Sequence, residues 1–410
     1  MSNIKQIYFR PLAFLFILIF DFGISQEYNW SANLRFRART DKASSVDWQK
    51  TFATITETRS RLGLDILGEY ASAKFILQDS RYLGNVENNP GVTAATASPF
   101  LHQAYFTFSN LKIPFFDYDF VKIGRFELAL GNQRLIAKNN WNNIGRSFEG
   151  FLGKDNLLSG ELLFMHLFIN ETMNESHDDK KDVVIDGVYW TKTIPFLKQN
   201  SIYDVYFLNF RNMDFLGSGN SLATYNNIGM RFNGQKNNFV LESEWTLQNS
   251  SGTSSKNDVS ASLFSFNLGY KPDGVGFLNS VFLGLDRISG DDSSTETAEG
   301  FSKEFGARHK HHGFYDYTDH KKYFGHGHNG LNEINAKANI DILKRTNLLV
   351  ALHNFRSAVK DIFYGSEVNF IFKTKHSDEV SSEMGSVFYF PDQGSERTLP
   401  FFYLMITANF

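Results

Sequence analysis

The chain has 410 residues, no cysteine, and 41 Lys plus Arg against 44 Asp plus Glu, a net charge of −3. This excludes a disulfide scaffold and an N-terminal lipidated cysteine. No run of about 18 apolar residues lies in it, so it is no helical membrane protein, and no basic stripe marks a nucleic-acid binder.

Aromatic residues reach 16 %, with 42 Phe and 17 Tyr, yet the mean hydropathy is negative. A wall whose strands show one face to lipid and the other to water has that composition. Residues 1–25 read as an export signal: Lys5 and Arg10 precede an apolar run from Leu12 to Phe20, and Gly23 and Ser25 stand before a cut that leaves Gln26 first. The alternative is a retained anchor. Only eight prolines occur and no linker divides the rest, so residues 26–410 are read as one domain.

In chain order, the pattern has period two almost throughout. Arg35, Arg37 and Arg39 alternate with Leu34, Phe36 and Ala38 in the segment Asn33–Arg39. Arg59, Arg61, Asp65 and Glu69 then oppose Leu62, Leu64, Ile66 and Tyr70. From Asp119, Arg125 and Glu127 oppose Phe120, Phe126, Leu128 and Leu130. Comparable segments follow at Gln103–Phe108, Leu162–Phe168, Ile202–Phe210, Phe239–Leu247, Leu263–Tyr270, Val281–Arg287 and Leu348–Phe355. Turn clusters such as Asn88-Asn89-Pro90-Gly91 and Ser289–Ser294 separate them. A strand-like run about every twenty residues gives roughly sixteen to eighteen strands, eighteen favoured, in an all-β transmembrane antiparallel barrel with long extracellular loops. Phe402, Leu404, Ile406, Ala408 and Phe410 alternate to the last residue. That ending resembles the C-terminal strand read by outer-membrane assembly machinery.

Two stretches carry a family likeness. One is Ile123-Gly-Arg-Phe-Glu-Leu-Ala-Leu-Gly131-Asn-Gln-Arg134-Leu-Ile, followed by Trp141-Asn-Asn-Ile-Gly-Arg146-Ser-Phe-Glu-Gly150; the other is His309-Lys310-His-His-Gly313-Phe-Tyr-Asp316, with Gly330-Leu331 beyond it. Together with Asp79-Ser80-Arg81 they resemble the alginate-export family of outer-membrane barrels. Phe126, Asn132 and Glu149 depart from its usual Gln, acid and Asp. The resemblance implies a roughly eighteen-stranded barrel whose pore, lined by arginines and carboxylates, carries a uronic-acid polymer outward.

The residues agree with a polyanion path. Guanidinium groups bind carboxylates through a planar fork, and rings of charge select sign in pores. Residues 29 to 62 hold seven Lys/Arg and three Asp/Glu, a local +4. The pore-lining candidates are therefore Arg37, Arg39, Arg59 and Arg61 in the first segments, then Asp79, Arg81, Arg125, Glu127, Arg134, Arg146 and Glu149, and finally Lys310 and Asp316. Mutual neutralisation of Arg/Glu ladders is the plainer alternative for any one of them. Gly313 is expected to allow a tight backbone path, Lys310 to face the lumen, and Asp316 to hold Lys310 or a nearby arginine. His309, His311, His312, His320, His326 and His328 crowd one stretch, but the spacing is irregular. His309 belongs to the family-like motif, and the others read as exposed loop residues titrating near pH 6.5 rather than as metal ligands.

No Gly-x-Ser-x-Gly or standout Ser–His arrangement suggests catalysis, and no cofactor is expected. The functional reading is a monomeric channel for an anionic polysaccharide or acidic oligosaccharide. Its partners are the polymer, outer-membrane lipid, assembly machinery at Phe410 and periplasmic export components. A general porin, or a barrel enzyme acting on lipid or peptide, is the alternative.

Overall fold

The structure, a computed structural model, describes residues 26–40, 42, 54–83, 97–113, 116–170, 182–196, 199–214, 222–250, 258–274, 276–292, 294–295, 297–307, 309–316, 328–391 and 398–410. Residues 1–25, read as an export signal, and His320 and His326 lie outside them.

Eighteen strands follow one another in the chain. The first nine are β1 (Glu27–Thr40), β2 (Thr54–Leu67), β3 (Ala71–Tyr82), β4 (Ala97–Ile113), β5 (Phe116–Phe126), β6 (Phe148–Leu157), β7 (Gly160–Asn170), β8 (Val183–Phe196) and β9 (Gln199–Asp214). The second nine are β10 (Leu222–Lys236), β11 (Phe239–Asn249), β12 (Ser260–Tyr270), β13 (Leu278–Ile288), β14 (Leu331–Leu343), β15 (Thr346–Arg356), β16 (Phe363–Lys375), β17 (Val380–Pro391) and β18 (Leu399–Asn409). Each pairs antiparallel with its chain neighbours, and β18 pairs with β1, so the sheet closes. Closure leaves no strand edge unpaired, which lipid would not tolerate.

Period two now has a direction. On β1, Trp30, Leu34 and Phe36 are exposed while Arg35 and Arg37 are buried, so the apolar face looks out to lipid and the arginines look into the barrel. The same sense holds for Leu62 against Arg59 on β2 and for Ile334 against Glu333 on β14. Glu69 and Tyr70 fall in a turn and Glu127, Leu128 and Leu130 lie beyond β5, so five positions read as strand are not strand. On β4 the register shifts opposite Ile76 and Leu77. That bulge turns both His102 and Gln103 inward and buries them.

Short turns such as 158–159 and 237–238 join strands at one end, and long connections join them at the other; in such barrels the long ones are extracellular. Two of these, 127–147 and 289–330, have described parts that fold back into the lumen. Ala137 N donates to Phe305 O at 2.9 Å and Ala307 N to Gln133 O at 2.8 Å, so the two lie against each other. Leu128, Leu130, Ile136 and Phe301 pack with inward Phe126, Phe148, Tyr206 and Tyr225 in one apolar core. Part of the barrel interior is therefore dry.

The seam is closed at the last residue. Ala32 N donates to Phe410 O at 3.0 Å and Phe410 N to Ala32 O at 2.9 Å. Deletion of Phe410 removes both bonds, each worth about 1 kcal/mol. The assembled barrel should then convert to its unfolded gel mobility at a lower temperature than wild type, as measured by a heating series on semi-native gels.

Candidate functional site

The arginines of β1 and β2 face inward, as their alternation predicts, but they are mostly spent on protein. Arg35 donates to Asn140 O at 2.7 Å, to Asn142 O at 3.2 Å and to Asn143 Oδ1 at 2.8 Å. Arg37 donates to Trp141 O at 2.7 Å, and its guanidinium sits 4.6 Å from the Trp141 ring centre. Arg37 and Arg39 share Glu57, Arg37 through Nε at 2.6 Å and Arg39 through Nη2 at 3.1 Å. Arg59 reaches Asn140 O at 3.3 Å. Arg61 meets Gln78, Glu127 and Asn140 at 2.6, 3.0 and 3.1 Å. These side chains form a clamp on segment 139–144. A folded-back loop presents carbonyl oxygens with no strand partner, and guanidinium forks satisfy several of them. Burial pushes the Glu127 carboxyl upward, but His102 and Arg61 outweigh it and hold it down at about 2.

Six of the predicted lining residues stand elsewhere. Asp79 and Arg81 pair opposite Ser60 and Thr58, on the face away from inward Gln78 and Ser80. Arg125 pairs opposite Ala104 and Glu149, while the neighbouring Phe126 and Phe148 face in. Asp79, Arg81, Arg125 and Glu149 therefore lie on the outer surface. Alternation alone assigned Arg125 to the lumen because its neighbours are apolar. The lumen at that level is itself apolar, filled by the folded-back loop, so the faces exchange.

Arg134 and Arg146 are not on strands at all. Arg134 is 3 % exposed and forks onto Asp286 at 2.7 and 3.0 Å. Burial lowers its proton affinity, yet Asp286 and Glu244 outweigh that and leave its pKa raised. Arg146 donates to the carbonyl of Phe305, joining the two loops.

Among the described histidines, His309, His311 and His312 anchor the loop in the lumen rather than decorating its surface. His311 and His312 are buried. His312 Nδ1 meets Glu333 Oε2 at 2.7 Å and its Nε2 meets Lys303 Nζ at 2.7 Å, while His353 Nδ1 meets Glu333 Oε1 at 2.7 Å. His309 stacks on Trp141 with ring centres 3.7 Å apart. Asp316 pairs with His309 and Lys42, both at 2.9 Å, and not with Lys310 or an arginine. Gly313 has φ +81°, and a Cβ there would lie 2.5 Å from both oxygens of Glu367, so the tight path is real. Glu367 in turn accepts from the backbone of Phe314 and Tyr315 at 2.6 and 3.1 Å.

Asp286, His312 and Glu333 are close enough to hold a metal ion. The donor set does not fit one. Arg134 occupies both oxygens of Asp286, and Lys303 Nζ lies against Nε2 of His312. A divalent ion would face two fixed cations.

Open space remains beside the clamp and the anchor. A cavity of about 520 Å³ is lined by Arg35, Lys310, Lys337 and Lys373 with Glu383 as its one carboxylate, and by the rings of Trp141, Phe282 and Phe314. A second, of about 530 Å³, lies at the short-turn end and shares Lys373, Glu383 and Met405 with it. The two are contiguous along β14–β18. Among the described residues, no carboxylate lies within ion-pair distance of the Lys337 or Lys310 ammonium. The sequence reading included Lys310 but passed over Lys337 and Lys373. Lys337 alternates with Glu333 and Asn335 on the polar face of its strand, and that was the available signal.

The sequence matches the model of the family described as "Alginate export" over residues 21–387. The chain belongs to the alginate-export family. No curated protein matches it. Among solved structures it is similar to the Acinetobacter baumannii OccAB4, at 12 % identity over 94 % of this chain and 98 % of that one, TM-score 0.61. It is also similar to a BenF-like porin from Pseudomonas fluorescens Pf-5, at 11 % identity over 94 % and 98 %, TM-score 0.62. A third is Pseudomonas aeruginosa OpdK with vanillate, at 10 % identity over 93 % and 98 %, TM-score 0.59. These likenesses give the fold. Family and fold together make the protein an outer-membrane channel of a Gram-negative envelope.

Two outcomes follow from the buried network. Asp286→Asn strands the Arg134 charge, a change that costs about 3–5 kcal/mol in buried pairs. The loops should then lose their seat, seen in planar bilayers as flickering conductance with ion preference unchanged.

Burial, with Lys303 next, depresses His312 to about 4 against the ordinary 6.5, despite Glu333 and Asp286; burial and Arg134 depress His311 as well. A base with a lowered folded pKa leaves docking intact above pH 6.5 and erodes it as pH falls toward 4. Conductance should be steady from pH 7.5 to 6.5 and should open intermittently below that, and His312→Gln should blunt the change.

Proposed function

We propose that this channel passes an anionic saccharide, of the uronate type, along the β14–β18 wall. The observation that carries the reading is the composition of that wall. Lys310, Lys337, Lys373 and Arg35 face one cavity in which a single carboxylate, Glu383, opposes them. Lys373 is 3.4 Å from Glu383, so one of the four cations is partly neutralised. Arg35 itself is tied to loop carbonyls, and the other lumen arginines are tied to loop carbonyls or to Glu57, Glu127, Asp204, Glu242 or Asp286.

The physical argument has three parts. Unpaired ammonium groups in a narrow lumen attract anions more strongly than in bulk water because the effective dielectric is lower. Lysine binds a carboxylate as a point charge, without the bidentate grip of arginine, and weak repeated binding is what conduction requires. The rings of Trp141, Phe282 and Phe314 supply apolar surface against which the C–H face of a sugar can rest. The family supports the same class of solute, since its description is alginate export. We further propose that Lys310 and Lys337 are the principal selecting groups. Arg37, Arg59 and Arg61 act on the solute only by holding the loop that shapes the path.

The test is ion selectivity with block by soluble uronate oligomers in planar bilayers. Wild type should prefer anions and be blocked by the oligomers. Lys337→Glu should lower the preference and raise the blocking concentration about tenfold, the equivalent of roughly 1.4 kcal/mol. Lys337→Gln should do less. A cation-selective wild type, or block untouched by Lys337→Glu, overturns the reading.

A further inference from the structure

The outer wall carries charge where lipid should meet apolar side chains. On the outside of β5 and β6, Arg125 Nη1 donates to Glu149 Oε1 at 2.7 Å. Two strands on, Asp186 bridges His166 Nδ1 at 2.5 Å and Arg211 Nη2 at 2.7 Å. The ladder places these groups in two adjacent rows. One runs Arg125, Glu149, Phe168, Val184, Arg211 across β5 to β9. The other runs Phe151, His166, Asp186, Asn209, Asn226 across β6 to β10. Asn209 Nδ2 donates to Asn226 Oδ1 at 2.7 Å, so the second row ends in amides.

Depth decides what can lie against these rows. Arg125 is next to the last residue of β5, and Arg211 is three residues from the end of β9. At roughly 3.3 Å per residue, each lies within about 10 Å of the long-loop end. On the same strands toward the short turns, Ile123, Val188 and Phe207 are exposed apolar groups. A lipid-facing Arg costs about 2–4 kcal/mol at the bilayer midplane but about 0–1 near the interface. The rows thus sit at headgroup level of the outer leaflet, where the neighbour is a lipid headgroup rather than a soluble protein.

The charges are also accessible. Arg125 and Arg211 are 34 % and 46 % exposed, and each guanidinium gives one hydrogen bond to its carboxylate. Apart from the buried Nε of Arg125, the remaining donors of each fork are not engaged among the described residues, and Glu149 is 60 % exposed. An arginine fork with open donors is a phosphate-binding group.

We propose that this outward face of β5 to β9 binds the phosphate groups of a phosphorylated outer-leaflet glycolipid, with Arg125 and Arg211 as the gripping cations. Asp186 holds Arg211 in place, and His166 holds Asp186. Asp79 and Arg81, 2.7 Å apart on the outer face of β3, form a separate outward pair near the long-loop end of that strand.

The test is native mass spectrometry of the full protein exchanged into detergent with lipid A as the probe, in its diphosphorylated and dephosphorylated forms. Wild type should retain the diphosphorylated form about tenfold better. The pair Arg125→Gln with Arg211→Gln should abolish that preference while leaving gel heat-shift and channel conductance unchanged. Glu149→Gln, which removes the competing carboxylate, should keep or raise it. Equal retention of both forms by wild type overturns the proposal, and that comparison stands even if the double variant fails to assemble. Retention by an assembled double variant equal to wild type also overturns it.

Discussion

The arginine clamp on segment 139–144 is the interaction on which the rest of the lumen depends. A loop folded into a barrel brings peptide carbonyls that no strand can satisfy, and an unpaired buried carbonyl is costly. Arg35, Arg37, Arg59 and Arg61 supply donors from the wall. With the loop held, Trp141 is fixed against Arg37 and His309, so the second loop stacks on the first. Hydrogen bonds to charged donors are worth about 1.5–3 kcal/mol each, and several act together here.

The clamp also decides where a solute can pass. Loop residues fill much of the lumen with an apolar core, drawn from strands between β5 and β18, and with the Arg134–Asp286 pair. Space is left along β14 to β18, where the unpaired cations are lysines. On the proposed path, the charge that holds the loops and the charge offered to the solute are carried mainly by different residues, which lets one be strong and the other weak. A pore lined by free arginines would bind a polyanion more tightly than conduction allows.

Membrane placement follows the same division between faces. The closed sheet satisfies its own backbone, so its outer surface needs only to match the solvent at each depth. Apolar groups such as Trp30, Leu62 and Ile334 meet hydrocarbon, and Arg125, Asp186 and Arg211 appear where the hydrocarbon ends.

The sequence by itself determined the barrel. Alternation along Asn33–Arg39 and from Arg59, and the turn clusters between such runs, set strand number and the facing of β1 and β2, because period two is a local property of the extended chain. It also singled out most of the residues that build the interior, Arg37, Arg59, Arg61, Arg134, Lys310 and Asp316 among them. Their roles were decided only by tertiary structure. Whether a charged face looks into the lumen depends on what fills the lumen, and the loop carrying Leu128 and Ile136 turned that side apolar and sent Arg125 outward. Whether an arginine is free depends on which carbonyls and carboxylates fold against it, and residues 105 positions apart, such as Arg35 and Asn140, meet only when the barrel closes. His311 and His312 look exposed in the sequence for the same reason: nothing local reveals that Asn132 and Glu333 fold against them.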